Sequence, residues 1–319
     1  MTTTALRFAA ALAGAAILGI SGQALAYPDK PVTIVVPFAA GGGTDITTRT
    51  MQEPMAKALG ADVVVKNTAG AGGTIGVAEV ARGKADGYSV AMAPVGPLTT
   101  QPHLRKLPYD IDSFDYVCLA YSAPSAIAVR KDSPFNSLKD LIDYAKANPG
   151  KLNFAVQAIG SIPHVAGLAL ADAAGIEMTY LPVNGDGPAL KALLDGSADV
   201  FVPHISFLTN NADQIKSLAI LQPERLDSMA TLATAKEQGF DLDFPIWGGL
   251  VVAKGTAPEV LGKLDGACQA AIESDSFKAH MEQLGQPRAY MNAKDFDAFV
   301  RKQYAVNKRL LEKAGLKQE

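Results

Sequence analysis

An alternation of short β-branched runs and longer amphipathic stretches occurs twice along the chain, and it limits the folds available more than any other feature. The first copy has strand-like segments at 32–37, 62–66 and 88–93, with helix-like segments at 45–59 and 75–83. The second copy has strands at 152–156, 178–183 and 198–202, with helices at 165–174 and 188–194. Strands alternating with helices predict wound α/β sheets. Two copies predict two similar lobes.

The first 26 residues have the composition of a cleavable signal peptide. A short region with Arg7 is followed by an apolar run over 8–20 and by the small-residue pattern Ala24-Leu25-Ala26. Tyr27 follows, so no cysteine is placed to carry a lipid anchor. No later run reaches the roughly 18 to 20 apolar residues of a membrane-spanning helix. We therefore expect a soluble protein exported to the periplasm.

Charge and motifs exclude several classes of function. The chain has 29 Lys and Arg against 32 Asp and Glu, without a basic run, so we expect no nucleic-acid partner. It has no G-x-S-x-G elbow, no H-E-x-x-H pair and no closely spaced Cys and His ligands, so we expect no catalytic residues, cofactor or metal. An exported enzyme stays an alternative, because a catalytic triad is assembled in space rather than along the sequence.

Two long apolar runs, 114–130 and 244–253, are candidates for the crossings between the lobes. They divide the chain into a first lobe of 27–124 plus 248–319 and a second lobe of 125–247. Two amphipathic helices near the C-terminus are predicted to pack on the first lobe. Cys118 and Cys268 lie in apolar surroundings, where we expect buried free thiols. A disulfide between them is the alternative in an oxidising compartment.

A glycine-rich turn over 37–45 joins the first strand to the first helix. Free backbone N–H groups at a helix start suit an anion, and glycines let a ligand approach the backbone closely. Thr44 and Asp45 are candidate helix caps, and a tight, well-capped turn without a ligand is the alternative. The turn lacks the Gly-Lys-Ser/Thr of a nucleotide-binding P-loop. A second glycine-rich segment, 70–76, is treated as another wall of the same site.

The second copy supplies a partner turn over 157–164, which includes Ala158 and Gly160. Ser161 is a candidate hydroxyl donor, and for His164 bracing of the loop is favoured over ligand contact. The strands of both copies end in proline, at Pro94 and Pro203, which we place at the rim of one cleft because ligands bind beyond the carboxyl ends of such strands. Trp247 either lines this cleft or fills the core beneath it.

Residues 27–45 strongly resemble the start of the mature tripartite tricarboxylate transporter receptors, also called Bug proteins. Further landmarks of that family follow in the family's order at 67–76, 85–88, 106–109, 147–154, 247–250 and 255–258. The resemblance implies an α/β fold of the type II, Venus-flytrap class, a two-lobed periplasmic binding protein with two mixed sheets joined by hinge strands. It implies a receptor, expected to be a monomer, that delivers a small organic carboxylate to the membrane subunits of a tripartite transporter.

In that family, uncharged donors of the two glycine loops hold the carboxylate. Carried onto this sequence, the expected contacts are Phe38, Ala39, Gly41, Gly42, Thr44, Asp45, Gly160, Ser161 and His164.

The chain departs from the family pattern at two places, Val183-Asn184-Gly185 and Pro203-His204, where the family commonly has Tyr-Lys-Gly and Asp-Asn. We expect Asn184 to line the cleft and His204 to contact the distal end of the ligand. Because neither loop has an obvious cationic residue, the sequence favours a mid-size apolar acid. A sensor subunit for a membrane kinase stays a second alternative function.

Overall fold

The structure is a computed structural model that describes residues 27–183 and 185–316. The predicted signal peptide and Asn184 lie outside these residues. The strands are β1 Val32–Val36, β2 Val63–Asn67, β3 Ser89–Pro94, β4 Phe114–Ala123, β5 Ala126–Arg130, β6 Leu152–Val156, β7 Met178–Pro182, β8 Ile215–Ile220 and β9 Ile246–Ala253. The helices are α1 Gly43–Leu59, α2 Thr74–Ala81, α3 Val95–Thr99, α4 Gln101–Leu104, α5 Leu138–Ala147, α6 Ile162–Ala174, α7 Asp186–Leu194, α8 Ile205–Asn210, α9 Pro258–Ile272, α10 Asp275–Gln283 and α11 Ala293–Lys313.

The first lobe is built on a five-stranded sheet in the order β2-β1-β3-β9-β4. β1 pairs in parallel with β2 and β3, whereas β9 runs antiparallel to both β3 and β4. Successive residues of β1 pack on opposite faces: Ile34 packs in a cluster with Met51 of α1, and Val35 in a cluster with Val77 of α2. Both faces are therefore covered by helices, which explains why β1 and β3, inside the sheet, are mostly apolar and buried.

The second lobe repeats this arrangement. β6 pairs in parallel with β7, and β5 pairs antiparallel with β8. Between the two pairs, Val200 forms a parallel bridge with Phe154 and Phe201 an antiparallel bridge with Ala128. The resulting order is β7-β6, the 200–201 segment, then β5-β8, which matches the first sheet strand for strand. The predicted strand over 198–202 is thus reduced to two bridges, but it occupies the position of β3.

Two crossings join the lobes. β4 of the first sheet leads through Pro124 and Ser125 into β5 of the second, and the chain returns to the first sheet at β9. The crossings are bonded to each other, because the buried Ser125 hydroxyl donates to the Phe244 carbonyl at 2.6 Å. The fold is therefore two-lobed α/β with mixed sheets. We propose the lobe boundaries given above, 27–124 plus 248–319 and 125–247, at these crossings.

The C-terminal helices differ in one respect from the sequence expectation. α9 packs on α1 and β4 of the first lobe, as predicted. α11 packs on β4 and α3 but also reaches α6 of the second lobe, where Arg309 donates to Asp172 at 2.7 Å. Within residues 27–183 and 185–316, each helix is too short or too polar to span a bilayer.

The expectation of two free thiols was wrong. Cys118 of β4 and Cys268 of α9 form a disulfide, with their Cα atoms 6.6 Å apart. Both residues lie in apolar sequence, but packing of α9 against β4 brings them within bonding distance, which local sequence cannot show. The bond closes a loop of 150 residues and therefore ties the C-terminal part of the first lobe to its sheet.

We predict that the Cys118→Ala/Cys268→Ala variant is less stable than the wild type by about 2 to 5 kcal/mol, because a long loop in the unfolded chain is no longer closed. Urea unfolding of both proteins measures the difference. As a chemical control, iodoacetamide should label neither cysteine of the unfolded, unreduced wild type and both after reduction. Labelling of both cysteines without reduction would show that the disulfide is absent.

Candidate ligand-binding cleft

The first glycine loop is held in shape by Asp45. Its carboxylate, 2% exposed, accepts from the Gly41 N–H at 2.8 Å, from Arg49 Nε at 3.0 Å and from Asn67 Nδ2 at 2.8 Å. Burial acts to raise the pKa of Asp45, but the hydrogen bonds from Arg49, Gly41 and Asn67 outweigh it and hold the pKa below its ordinary value. Asn67 also donates to the Phe38 carbonyl at 3.1 Å. Asp45 is therefore a brace for the loop.

The start of α1 differs from the expected capped turn. The helix begins at Gly43, so Thr44 and Asp45 lie within its first turn, and the N-cap residue is Gly42 with no side-chain cap. The first N–H groups of any helix lack partners inside it. Ala39, Gly41 and Gly42 are exposed beside this helix start, and Phe38 is half-buried. The start of α1 is therefore polar and accessible, as a candidate anion site requires.

The second loop has a comparable brace. Gly160 has a left-handed backbone, with φ of 73°, and its N–H donates to His164 Nδ1 at 3.0 Å. Burial lowers the pKa of His164, which is 2% exposed, to about 4. Ser161 caps α6 by accepting from the His164 N–H at 3.4 Å. This geometry fits the bracing role of His164 and leaves the Ser161 hydroxyl hydrogen free to donate.

The loops of the two lobes approach a common helix, α4. A Cβ atom added to Gly160 would lie 2.1 Å from Leu104 Cδ1, so the second loop packs directly on the first lobe. On the first lobe, a Cβ atom added to Gly72 would lie 4.0 Å from the Gln101 side chain. Segments 70–76 and 157–164 therefore both approach α4, through residues three apart on that helix, which fits the assignment of the glycine-rich segments to one cleft. Ala158 is exposed on this second loop.

Pro94 and Trp247, which were predicted at the cleft, are both buried in the structure. Pro94 ends β3, and its register partner is Gly248 beside Trp247. Trp247 packs edge-on against Phe296 and Phe299. The core alternative for Trp247 thus fits the structure, and no face of its ring is open to a cleft.

His204 is half-buried and caps α8. Its Nδ1 accepts from the Phe207 N–H at 3.2 Å and lies 3.0 Å from the Ser206 hydroxyl, whereas Nε2 lies 3.6 Å from an Asp186 oxygen. Contact of His204 with a ligand stays a prediction. A His204→Ala variant removes the cap as well as any contact.

Gln157 and Asp186 are two polar residues that were not among the predicted site residues. Gln157 Nε2 donates to Asp186 Oδ1 at 3.1 Å and to the Val202 carbonyl at 2.9 Å. Both follow strands at the carboxyl edge of the second sheet, where Gln157 comes directly after β6 and Asp186 opens α7. Their position beyond strand ends was the signal available in the sequence.

The cleft has little positive charge. Arg49 is bonded to Asp45 and Asn67, and no group of three potential metal ligands occurs within 27–183 and 185–316. A separate groove of about 870 Å³ lies between α6, β7 and the end of α11, lined by residues such as Leu168, Met178 and Leu310. The groove reaches the second glycine loop at Ile159 and His164, but no residue at the start of α1 lines it.

A family model, the tripartite tricarboxylate transporter family receptor, matches residues 47–316. The chain belongs to this receptor family. Among curated relatives, a UPF0065 protein of Bordetella pertussis (strain Tohama I) is 29% identical over 93% of this chain and 93% of its own length.

Several solved structures superimpose closely on this chain. A TctC solute binding protein from Polaromonas is 30% identical, with a TM-score of 0.83 over 90% of this chain and 99% of its own. Rpa4515 of R. palustris, solved with adipate, is 27% identical, with a TM-score of 0.74 over 91% and 98% of the two chains. MatC of Rhodopseudomonas palustris, solved with malate, is 28% identical, with a TM-score of 0.71 over 89% and 100%.

We predict that acid destabilises this receptor partly through His164. Its pKa of about 4 in the fold lies below the ordinary value of 6.5, so the unfolded chain binds more protons between these values. The free energy of unfolding should therefore fall as the pH drops through this window, by at most about 1.4 kcal/mol per pH unit. His164→Asn keeps an acceptor for the Gly160 N–H but does not titrate. Urea unfolding at several pH values should give a shallower fall for the variant, and equal slopes would contradict the assignment.

Proposed function

We propose that this chain is a periplasmic receptor that captures a small organic carboxylate and delivers it to the membrane subunits of a tripartite transporter. The observation that carries the proposal is the start of α1, where exposed glycines precede a helix that no side chain of the described residues caps. A carboxylate supplies the acceptor atoms that those N–H groups lack. The family supports the same conclusion, since relatives of known structure were solved with adipate and malate.

The ligand's carboxylate would bind the N–H groups of Gly43 and Thr44 on one lobe and the Ser161 hydroxyl on the other. The Thr44 hydroxyl, 3.3 Å from the Tyr121 hydroxyl, is a further donor on the first lobe. Closure of the cleft removes bulk water, and hydrogen bonds to a charged group are the stronger kind in such surroundings. Asp45 and His164 shape the two loops without touching the ligand.

Closure would occur by bending at the two crossings. These are the places where the chain passes between sheets. At the first crossing, two residues separate β4 from β5, and the second crossing enters the first sheet at β9. The Ser125 to Phe244 hydrogen bond makes the crossings bend together. The ligand shifts the population toward the closed form because only that form offers donors from both lobes. The closed monomer then docks on the transporter, and no bond in the ligand is made or broken.

We predict that a panel of mono-, di- and tricarboxylates, aromatic acids and acidic amino acids contains a ligand that raises the melting temperature of protein refolded to remove carried-over ligand. The ligand should be recovered chemically intact after incubation, whereas an enzyme would convert it. Failure of every carboxylate to bind, or its conversion to product, would contradict the proposed function.

We further predict that Thr44→Val weakens binding of that ligand about ten- to 150-fold, since a hydrogen bond to a charged group is worth about 1.5 to 3 kcal/mol. Thr50→Val is the matched control on the same helix, because its hydroxyl donates to the Ile46 carbonyl at 3.0 Å and not toward the cleft. Isothermal titration calorimetry measures both dissociation constants. Equal weakening in the two variants would place the ligand away from the start of α1.

A further inference from the structure

Three polar side chains converge where the strands of the second sheet end, and we call Gln157, Asp186 and His204 the acceptor corner. Gln157 follows β6, Asp186 follows β7 at the start of α7, and His204 follows the 200–201 segment. Gln157 is hydrogen-bonded to Asp186 at 3.1 Å, and Asp186 lies 3.6 Å from His204. Carboxyl ends of neighbouring strands are where α/β proteins of this kind bind ligands.

The amide of Gln157 has a defined orientation. Its nitrogen lies between two acceptors, Asp186 Oδ1 and the Val202 carbonyl, so the other amide atom must be the oxygen. Gln157 is 9% exposed, and its Oε1 is buried without a hydrogen-bond partner among the described residues. A buried acceptor without a donor is costly, so a water or a ligand group has to supply the donor. Five other side-chain atoms of the described residues share this condition, but Gln157 is the one that follows a strand end beside an exposed carboxylate.

The Asp186 carboxylate adds negative charge to the same corner. Its side chain is 32% exposed, and among the described residues the single basic group in ion-pair contact with it is His204. His204 Nδ1 accepts from the Phe207 N–H, and its Nε2 lies 3.6 Å from the Asp186 oxygen, beyond hydrogen-bond distance. Within the described part of the chain, the corner therefore lacks a donor for Gln157 Oε1, and no Lys or Arg forms an ion pair with Asp186.

We propose that the ligand of this receptor carries an ammonium group besides its carboxylate, and that the acceptor corner binds this ammonium. The inference rests on the proposed function, which seats the carboxylate at the start of α1. An ammonium has three N–H donors and a positive charge, which match Gln157 Oε1 and the Asp186 oxygens. A ligand with only carboxylates would leave Gln157 Oε1 unpaired and bring like charges together. The proposed ligand class is thus an amino-substituted acid, in contrast to the apolar acid favoured by the sequence.

A structural role for Asp186 alone does not account for the corner. Asp186 opens α7, where a negative charge is favourable, but it makes no side-chain cap to that helix. A helix-start role explains the charge and leaves the buried Gln157 oxygen without a partner. The two acceptors together need a donor-bearing ligand.

Matched ligand triples test the inference on refolded wild-type protein by calorimetry. We would use L-aspartate, L-malate and succinate, then L-glutamate, 2-hydroxyglutarate and glutarate, then L-phenylalanine, 3-phenyllactate and 3-phenylpropanoate. In at least one triple, the amine should bind at least about tenfold more tightly than the hydroxy acid and the unsubstituted acid. Mass spectrometry of ligand released from protein that was never refolded should find a compound with an amine.

Asp186→Asn tests the residue assignment, since it removes the charge but keeps the shape. It should reduce the preference for the amine at least about tenfold, with little effect on the unsubstituted acid. Asp195→Asn is the matched control at the other end of α7, where Asp195 accepts from the Ser197 N–H at 2.9 Å.

Three results would overturn the inference. If an acid or hydroxy acid binds as tightly as the amine in every triple and the released ligand has no amine, the inference fails while the proposed function stands. If the Asp186→Asn and Asp195→Asn variants prefer the amine over the unsubstituted acid to the same degree, the acceptor corner is not the ammonium site. If no carboxylate binds and none is released, the proposed function fails as well.

Discussion

The uncapped start of α1 is the constraint on which the cleft depends. A parallel strand delivers its helix start to the carboxyl edge of the sheet, and glycines at that point expose the backbone N–H groups to whatever lies across the cleft. Some helices of this chain begin with a side-chain cap, as α5 does with Ser137 and α11 with Asn292, whereas α2, α7 and α9, like α1, begin without one. α1 has Gly42 instead, so its donors stay available. The first glycine loop keeps its shape because the buried Asp45 carboxylate, which is bonded to Arg49, accepts a hydrogen bond from the Gly41 N–H.

The two lobes support this arrangement differently. The first lobe is secured by the disulfide between β4 and α9 and by a sheet covered on both faces. The second lobe has a sheet completed by two bridges at Val200 and Phe201, and its loop is braced by a neutral histidine rather than a carboxylate. The crossings meet at Ser125 and Phe244, and α11 adds a further connection between the lobes through Arg309 and Asp172. The proposed capture and release cycle requires one lobe to move against the other about these connections.

Sequence reasoning predicted the features that depend on local pattern. The periodicity placed β6 at its observed bounds and located both glycine turns, because turn residues and strand ends are encoded nearby. It started α1 two residues late, at Asp45, since the cap there is a glycine with no side-chain signal. The Cys118 to Cys268 bond and the burial of Trp247 depend on packing between distant segments. The pairing of Gln157 with Asp186 depends on strand order in the second sheet, which local sequence does not encode.

The central claim is that a carboxylate binds between the start of α1 and the second glycine loop. A crystal structure of the protein purified with its natural ligand, without refolding, tests this most directly. The account predicts a carboxylate oxygen within about 3 Å of the Gly43 or Thr44 nitrogen, with Ser161 donating from the other lobe. A ligand bound instead in the groove between α6, β7 and α11, with the start of α1 left to water, would contradict it.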